Sequence, residues 1–354
     1  MAKKASTQRG LTFRFGGKVC RVNFLSPEQV ILPGEKGLFV FDENVLPLIK
    51  NKPDPAPGTA VLTLKSGELS KNWDNLKLIL QTAREAGLGR DSFFYALGGG
   101  VVCDLTALGA SLYMRGTGLI LIPTTLLAMV DAGLGGKTGI DLDGYKNLVG
   151  TFYPAGELRI AAGFLADLPE REFQSGLAEL IKHGFLRSSS LLPSLRSCRS
   201  ALLHRDPEIL TWAVRESLKI KGYYVTRDFN ETSLRTHLNF GHTFAHALET
   251  SRGLAGISHG EAVAWGMARS LEAGVLMGLT KPAWEHRAKS LLEDFGLDLS
   301  LGGDGAAETL LPLMKEDKKK KDGRVRFVLQ RDWGRTILRE IPDTILRRVL
   351  SPGF

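Results

Sequence analysis

Cysteine is scarce in this chain. Its 354 residues hold three, Cys20, Cys103 and Cys198. They are scattered and odd in number, which argues against a disulfide framework and suits a reducing compartment. No apolar run reaches the roughly 20 residues that a membrane-spanning helix requires. The opening MAKKASTQRG is basic but lacks the apolar core of a secretory signal, so a cytoplasmic protein with no membrane partner is expected. There is no internal repeat. Aromatic side chains make up only 8% and do not interleave with basic ones. The net charge of +8 is spread along the chain without a nucleic-acid-binding motif. That argues against nucleic acid as a partner; a positive field that gathers a small anionic substrate accounts for the same charge.

Histidine is also sparse, with seven in all, and three fall within NFGHTFAHALETSRGLAGISHGEAVAWGM. His242 and His246 are four apart among good helix formers, so they share one helical face. His259 opens an HGE step before another apolar run. Imidazoles presented from a helix commonly hold a catalytic divalent metal, although packed or surface histidines show the same spacing.

The first part of the chain reads as α/β. Residues 12–24 alternate around Gly16-Gly17 like a hairpin. GLFVFDEN and AVLTLKSGE are short apolar runs ending in polar residues, as buried parallel strands with functional loops at their carboxyl ends do. LSKNWDNLKLILQTAREAGL has helical spacing up to Gly87. DSFFYALGGGVVCDLTALGASL reads as strand, glycine turn and helix, and GLILIPTT begins another strand and loop. NKPDPAPGT is a Pro-rich connection. Beyond about Phe164 helix-length segments dominate, with a late strand at RVRFVLQ and a Ser-rich stretch, LRSSSLLPSLRSCRS, that reads as a surface excursion. The expected architecture is a dinucleotide-binding (Rossmann-like) α/β domain over residues 1–163 and a mainly α-helical domain over 164–354, with the site between them.

Several segments carry chemistry. Gly98-Gly99-Gly100 between strand and helix lets backbone amides approach a pyrophosphate, or serves only as a tight turn. Asp104 is placed to meet a ribose hydroxyl or to cap donors. VDAGLGGKTGIDLDGYKNLVG sets Asp131, Lys137, Lys146 and Asn147 among glycines, a composition that favours an anion site over a plain loop. In SGLAELIKHG, Glu179 and Lys182 are three apart; they form a surface ion pair, or Glu179 completes a two-His, one-Glu metal site. Lys221, Arg235 and Asn239 follow. Arg235, Asn239 and His242 share one side if that segment is helical, and an arginine there grips a carboxylate or is ordinary surface charge.

Taken together, ALGGGVVCDL, SLYMRG, LIPTTLLAMVDAGLGGKTGID, GYKNLVGTFY, LPEREFQSGLAELIKHG, LNFGHTFAHALE and HGEAVAWGM strongly resemble the 3-dehydroquinate synthase family of sugar phosphate cyclases. The likeness runs from about Phe41 to Leu329, with the motifs in order. The resemblance implies the dehydroquinate synthase-like fold, NAD and one divalent metal, zinc or cobalt, and a homodimer. The implied reaction is conversion of 3-deoxy-D-arabino-heptulosonate 7-phosphate to 3-dehydroquinate and phosphate. It implies Glu179, His242 and His259 as metal ligands, with His246 instead near the substrate phosphate and the proton transfers. Arg115 matches an arginine that reaches the neighbouring subunit's site. Lys137, Asn147 and Asn239 match holders of phosphate and sugar hydroxyls, Lys221 and Arg235 the carboxylate grip, and Asp131, Lys146 and Lys182 polar groups near the reacting hydroxyls and cofactor. Lys318 or Lys319 matches a phosphate-binding lysine. For NAD the matching positions are Asp42, Asn44, Glu68, Lys71, Gly99, Gly100, Val101, Asp104, Thr124, Thr125, Phe164, Leu168 and Glu172.

The chain departs from the family pattern at Cys103, where glycine is usual, at Ala132-Gly133, where two serines are common, at His183 in place of tyrosine, and at Asp167 on the adenosine side. A sister cyclase acting on a heptulose 7-phosphate without a carboxylate is one competing reading, disfavoured by the Lys221, Arg235 and Asn239 set. A metal-dependent polyol dehydrogenase is another, disfavoured by the lysine-rich phosphate loop and Arg115. A non-catalytic relative would not need the whole charged set.

Overall fold

In the computed structural model, which describes residues 10–53, 57–187, 189–253, 256–301, 306–316 and 325–351, strands and helices alternate first and helices dominate later. In chain order come β1 (Leu11–Phe15), β2 (Lys18–Phe24), β3 (Gly37–Asp42), β4 (Thr59–Leu64), α1 (Trp73–Glu85), β5 (Phe93–Gly98), α2 (Gly100–Leu112), β6 (Gly118–Pro123), β7 (Ile140–Leu142), β8 (Tyr145–Val149) and β9 (Glu157–Ile160). They are followed by α3 (Glu170–Leu186), α4 (Leu191–Ser197), α5 (Arg199–Leu203), α6 (Pro207–Arg227), α7 (His242–Arg252), α8 (His259–Leu276), α9 (Pro282–Asp294), α10 (Ala306–Glu316), β10 (Phe327–Asp332), β11 (Arg335–Arg339) and α11 (Asp343–Leu350).

Two compact units emerge. One comprises residues up to Leu168 together with Ala201–Asn230; the other comprises Pro169–Ser200 and residues from Glu231 onward. The expected division into two consecutive blocks at 163/164 therefore does not describe the packing, because α6 returns to the first unit. Its apolar face, including Leu210, Val214 and Leu218, is fully buried. Arg215 of α6 lies over the Phe24 ring, 4.0 Å from its centroid.

The first unit is built on a seven-stranded sheet in the order β1-β2-β9-β6-β5-β3-β4. Only the β1–β2 hairpin is antiparallel; every other neighbouring pair is parallel. Leu38, Phe39, Val40 and Phe41 of β3 are fully buried, as a strand covered on both faces requires. The chain passes from β3 outward to β4 and then returns to β5 on the other side of β3. That reversal makes the carboxyl ends of β3 and β5 a topological switch point, where open α/β sheets receive ligands.

In the second unit α8 is the central element, buried along almost its whole length from Gly260 to Gly274. Helices α3, α7, α9 and α11 and strand β10 pack around it. The α7–α8 crossing is very close: a Cβ added at Gly266 would stand 2.2 Å from Gly241 O. The Ser-rich stretch is not a surface excursion. It forms α4 and leads into α5, with its own Leu191, Leu192 and Leu195 buried, as is Leu202 just beyond it. Its serines hid a leucine pattern that packs.

Candidate functional site

The first cluster lies at the carboxyl ends of the parallel strands of the sheet unit. Asp42 ends β3, and its carboxylate accepts from Asn44 N at 2.9 Å and Ser66 Oγ at 2.5 Å. Beside it, β5 turns into α2 through the glycines. A Cβ on Gly98 would lie 3.0 Å from Asp42 Cβ, so a side chain there would crowd the turn. Gly99 caps α2, and the first-turn amides of Gly100 and Val101 are oriented as an anion-binding helix end. Thr124 and Thr125 follow β6, and Phe164, Asp167 and Leu168 follow β9. Glu172 is exposed on α3, in the second unit.

Lys71 is the hub of the cluster. Its ammonium donates to Asp104 Oδ2 at 2.6 Å and to Asn147 Oδ1 at 2.5 Å. Burial alone would lower Lys71, but Asp104 and Glu68 outweigh it and hold the lysine above its ordinary range. Burial raises the Glu68 carboxyl despite nearby Lys71 and Lys146. Asn147 sits at φ 54 within β8, a left-handed conformation that asparagine adopts more readily than most residues. It lies on the β7–β8 hairpin, as does exposed Lys146, so the stretch the sequence left as a glycine loop contains ordered strands. Lys137 is exposed and bridges to Phe152. Asp131 belongs to a wide helical turn, Ala128–Ala132, and accepts from the buried Lys221 ammonium of α6. Arg115 is exposed, and it and Met114 both have positive φ, 63 and 49.

Cys103 does not disrupt the glycine turn. It is buried, its Sγ faces Gly98 O at 3.8 Å, and α2 runs unbroken through it. Burial pushes its thiol pKa upward, so it behaves as a small apolar side chain.

The second cluster is in the helical unit. Glu179 of α3 is completely buried, with Lys182 Nζ 2.5 Å from its Oε2. His242 opens α7 and His259 opens α8. The Nε2 atoms of both histidines lie 3.6 Å from Glu179 Oε1. Ligand atoms of all three residues fall within 4.8 Å of one another. A separation of 3.6 Å is long for a hydrogen bond. Two ligands held about 2.0–2.1 Å from a tetrahedral cation stand about 3.4 Å apart, so the spacing fits one shared ion. The donor set fits as well: one carboxylate and two imidazoles leave a fourth position open, as catalytic zinc sites do. His242 Nδ1 faces Phe240 O at 3.3 Å, which leaves Nε2 for the centre of the cluster.

The electrostatics agree with that reading. Burial, helped by the Lys182 charge, holds His242 well below the usual histidine range, in the neutral form a metal requires. Burial alone would lower His259, but Glu179 and Glu249 outweigh it and push it up to about 10. A cation seated among the three would compete with that proton.

The expected helix through Arg235, Asn239 and His242 is not continuous. Leu234–Asn239 is a 3-10 turn, Phe240 is extended, Gly241 is left-handed, and α7 starts only at His242. A shared helical face therefore does not join Arg235 to His242. Arg235 is nonetheless buried, and Asn239 donates to Glu231 Oε1 at 2.6 Å. His246 is exposed on α7, its ring 5.5 Å from that of His242. Lys318 and Lys319 lie outside the described residues. Sequence reasoning missed Glu231 and Glu249. Glu249 had a signal, being seven residues after His242 on the same helical face. Glu231 had none, because its partner Asn239 is reached by an irregular turn.

Comparison with known proteins gives concordant results. Residues 61–175 match the family model for the 3-dehydroquinate synthase N-terminal domain and residues 176–320 that for the C-terminal domain. The chain is 40% identical to a 3-dehydroquinate synthase of Acidithiobacillus ferrooxidans over 319 residues, 88% of this chain and 87% of that protein. It is 40% identical to one of Dictyoglomus thermophilum over 294 residues, 83% and 82% of the two chains. Among solved structures, a 2-deoxy-scyllo-inosose synthase with carbaglucose-6-phosphate, NAD+ and Co2+ superposes with a TM-score of 0.85 at 22% identity, covering 98% of this chain and all of that one. ValA, the 2-epi-5-epi-valiolone synthase of Streptomyces hygroscopicus with NAD+ and Zn2+, superposes at 0.83 and 24% identity, with 98% of each chain covered. At these identities the two structures speak to fold.

Proposed function

The chain belongs to the 3-dehydroquinate synthase family, and on that premise we propose that its two polar clusters divide the work of that reaction. The activity is conversion of 3-deoxy-D-arabino-heptulosonate 7-phosphate to 3-dehydroquinate and phosphate, a step of the shikimate route to aromatic amino acids. The cofactors are NAD and one divalent metal. The observation that carries the division of roles is the convergence of Glu179, His242 and His259 at 3.6 Å spacings.

When bound, NAD takes up and later returns a hydride, while the cation polarises the reacting hydroxyl as a Lewis acid. The chain's own residues do the rest. Glu179, His242 and His259 hold the metal, and Lys182 fixes the buried Glu179 carboxylate beside it. Asp42, the Gly99–Val101 amides, Asp104 and Lys71 hold the dinucleotide at the switch point of the sheet. Asn44, Glu68, Thr124, Thr125, Phe164, Asp167, Leu168 and Glu172 complete that pocket. Arg235 and Lys221 grip the substrate carboxylate, because a guanidinium offers two parallel donors and an ammonium a point charge. Lys137, Asn147 and Asn239 orient the phosphate and sugar hydroxyls, with Lys318 or Lys319 as a further phosphate contact. Asp131 and Lys146 act near the reacting hydroxyls, and His246 serves the proton transfers. Holding a flexible anion in one geometry is the chief contribution, since it removes the entropy of finding that geometry.

The acting form is a homodimer in which Arg115 serves the neighbouring subunit's site. Leu112, Met114 and Phe152 are exposed apolar side chains, at 46, 50 and 42%. The Thr151 to Ser111 hydrogen bond of 3.1 Å ties their segments together, and such a patch is a natural subunit contact. The compartment is the cytoplasm, in keeping with three free cysteines; no described helix is long and apolar enough to cross a membrane.

The test is phosphate release from the heptulosonate phosphate, with NAD present and with metal removed and restored. Release that stops on chelation and returns with zinc or cobalt is expected. Release from sedoheptulose 7-phosphate but not from the heptulosonate would overturn the carboxylate grip. Steady NADH accumulation with a simple alcohol would overturn the cyclase reading.

A further inference from the structure

Glu249 is a buried carboxylate that the reaction as described leaves unused. It lies on α7, seven residues after His242, so both side chains project from the same face two turns apart. Its Oε1 is 3.5 Å from His259 Nδ1, while His259 Nε2 faces Glu179. The helix crossing explains the meeting. Helices α7 and α8 touch where Gly266 meets Gly241. Glu249 is eight residues beyond Gly241, and His259 is seven residues before Gly266. The two helices run antiparallel, so eight residues forward on α7 and seven backward on α8 lead the same way from the crossing, over roughly 12 and 10.5 Å at about 1.5 Å per residue, and the two side chains arrive opposite each other.

We propose that Glu249 is a positioning residue for the metal centre: its carboxylate stands at the outer limit of hydrogen-bond distance from His259 Nδ1, and by accepting that proton it aims Nε2 at the ion. An imidazole has two nitrogens, and only one can serve the metal. An acceptor on Nδ1 selects the tautomer, stops the ring from turning, and raises the basicity of Nε2. His242 has a backbone acceptor, Phe240 O, for the same purpose. His259 is the first residue of α8, and the group facing its Nδ1 is the Glu249 carboxylate, 3.5 Å away. The neighbouring helix thus presents the acceptor through Glu249. The inference rests on the ligand reading of Glu179, His242 and His259 given above.

The experiment measures zinc affinity by competition with a chelating dye, independently of turnover, for the parent, Glu249→Gln, Glu249→Ala and His242→Ala. Loss of an outer-shell acceptor typically costs 10–100-fold in metal affinity. Glu249→Ala should therefore weaken zinc by about that factor. Glu249→Gln, which keeps an acceptor oxygen but not the charge, should lose distinctly less. Urea unfolding of the metal-stripped proteins guards against a mere packing defect: Glu249→Gln should unfold at the parent's midpoint. If Glu249→Ala binds zinc within threefold of the parent while His242→Ala has lost it, the positioning role is wrong and the ligand set stands. If His242→Ala retains zinc, the ligand set itself is wrong. Equal zinc losses in Glu249→Gln and Glu249→Ala, with the Gln variant's midpoint lowered, would replace positioning by packing.

Discussion

Gly266→Ala should damage the metal centre without touching a ligand. The added Cβ would stand 2.2 Å from Gly241 O and 3.1 Å from Ala245 N, both backbone atoms that no rotamer change can move aside. Restoring an ordinary contact of 3.4–4 Å requires α7 and α8 to part by roughly 1.2–1.8 Å. His242 directly follows Gly241, so it moves with the displaced backbone, away from His259 on α8. Metal–ligand distances tolerate only about 0.2 Å. The displacement is several times larger, so one histidine drops out of reach or the ion sits in strained geometry. Overpacking of this kind costs about 1–3 kcal/mol of stability. Zinc affinity should fall at least about tenfold, equivalent to about 1.4 kcal/mol. Two measurements separate the effects: urea unfolding of metal-stripped protein, and zinc titration against a chelating dye. Destabilisation together with parental zinc affinity would refute the reasoning, since it would mean the α7–α8 spacing does not set the distance between the histidines.

Three further outcomes are expected. Lys71→Met removes the cation shared by Asp104 and Asn147, so NAD binding, followed by calorimetry, should weaken at least about tenfold; unchanged affinity would remove Lys71 from the dinucleotide site. For Glu157, burial raises the carboxyl but hydrogen bonds from Arg159 and Asn23 outweigh it and lower the pKa below the ordinary 4.5. A depressed carboxylate stabilises the fold above its unfolded pKa and loses that contribution as pH falls through the folded one. Glu157→Gln should thus be less stable than the parent at pH 7, with the gap closing below pH 4.5 in parallel urea titrations; a gap that widens on acidification contradicts the sign. Finally, Arg115→Ala and His242→Ala should each be inactive alone, yet co-refolded mixtures should regain about a quarter of parental activity, because half the dimers then carry one intact site. No recovery would place Arg115 in its own subunit's site.

Much of the fold was legible because short-range rules govern it. The GLFVFD run reads as a doubly covered strand and is β3; ALGGG between apolar run and helix reads as a strand-to-helix turn and is the β5–α2 connection. Where periodicity was weak, reading failed. Serines masked the buried leucines of α4 and α5, and a 3-10 turn ending at Asn239 broke what looked like one helix through His242.

The chain's composition and order of residues determined the alternation of strand and helix, the glycine turn at the end of β5, and the supply of imidazoles and carboxylates from which a metal site can be made. Tertiary structure alone decided which of them meet. Two histidines four apart on one helix look like the natural pair, yet His259, seventeen residues from His242, is the one that shares Glu179 with it, and His246 remains exposed. The reason is geometric: spacing along a chain specifies directions within one helix, whereas the close α7–α8 crossing at Gly241 and Gly266, and the packing of α3 against α8, bring the starts of two helices to one buried carboxylate.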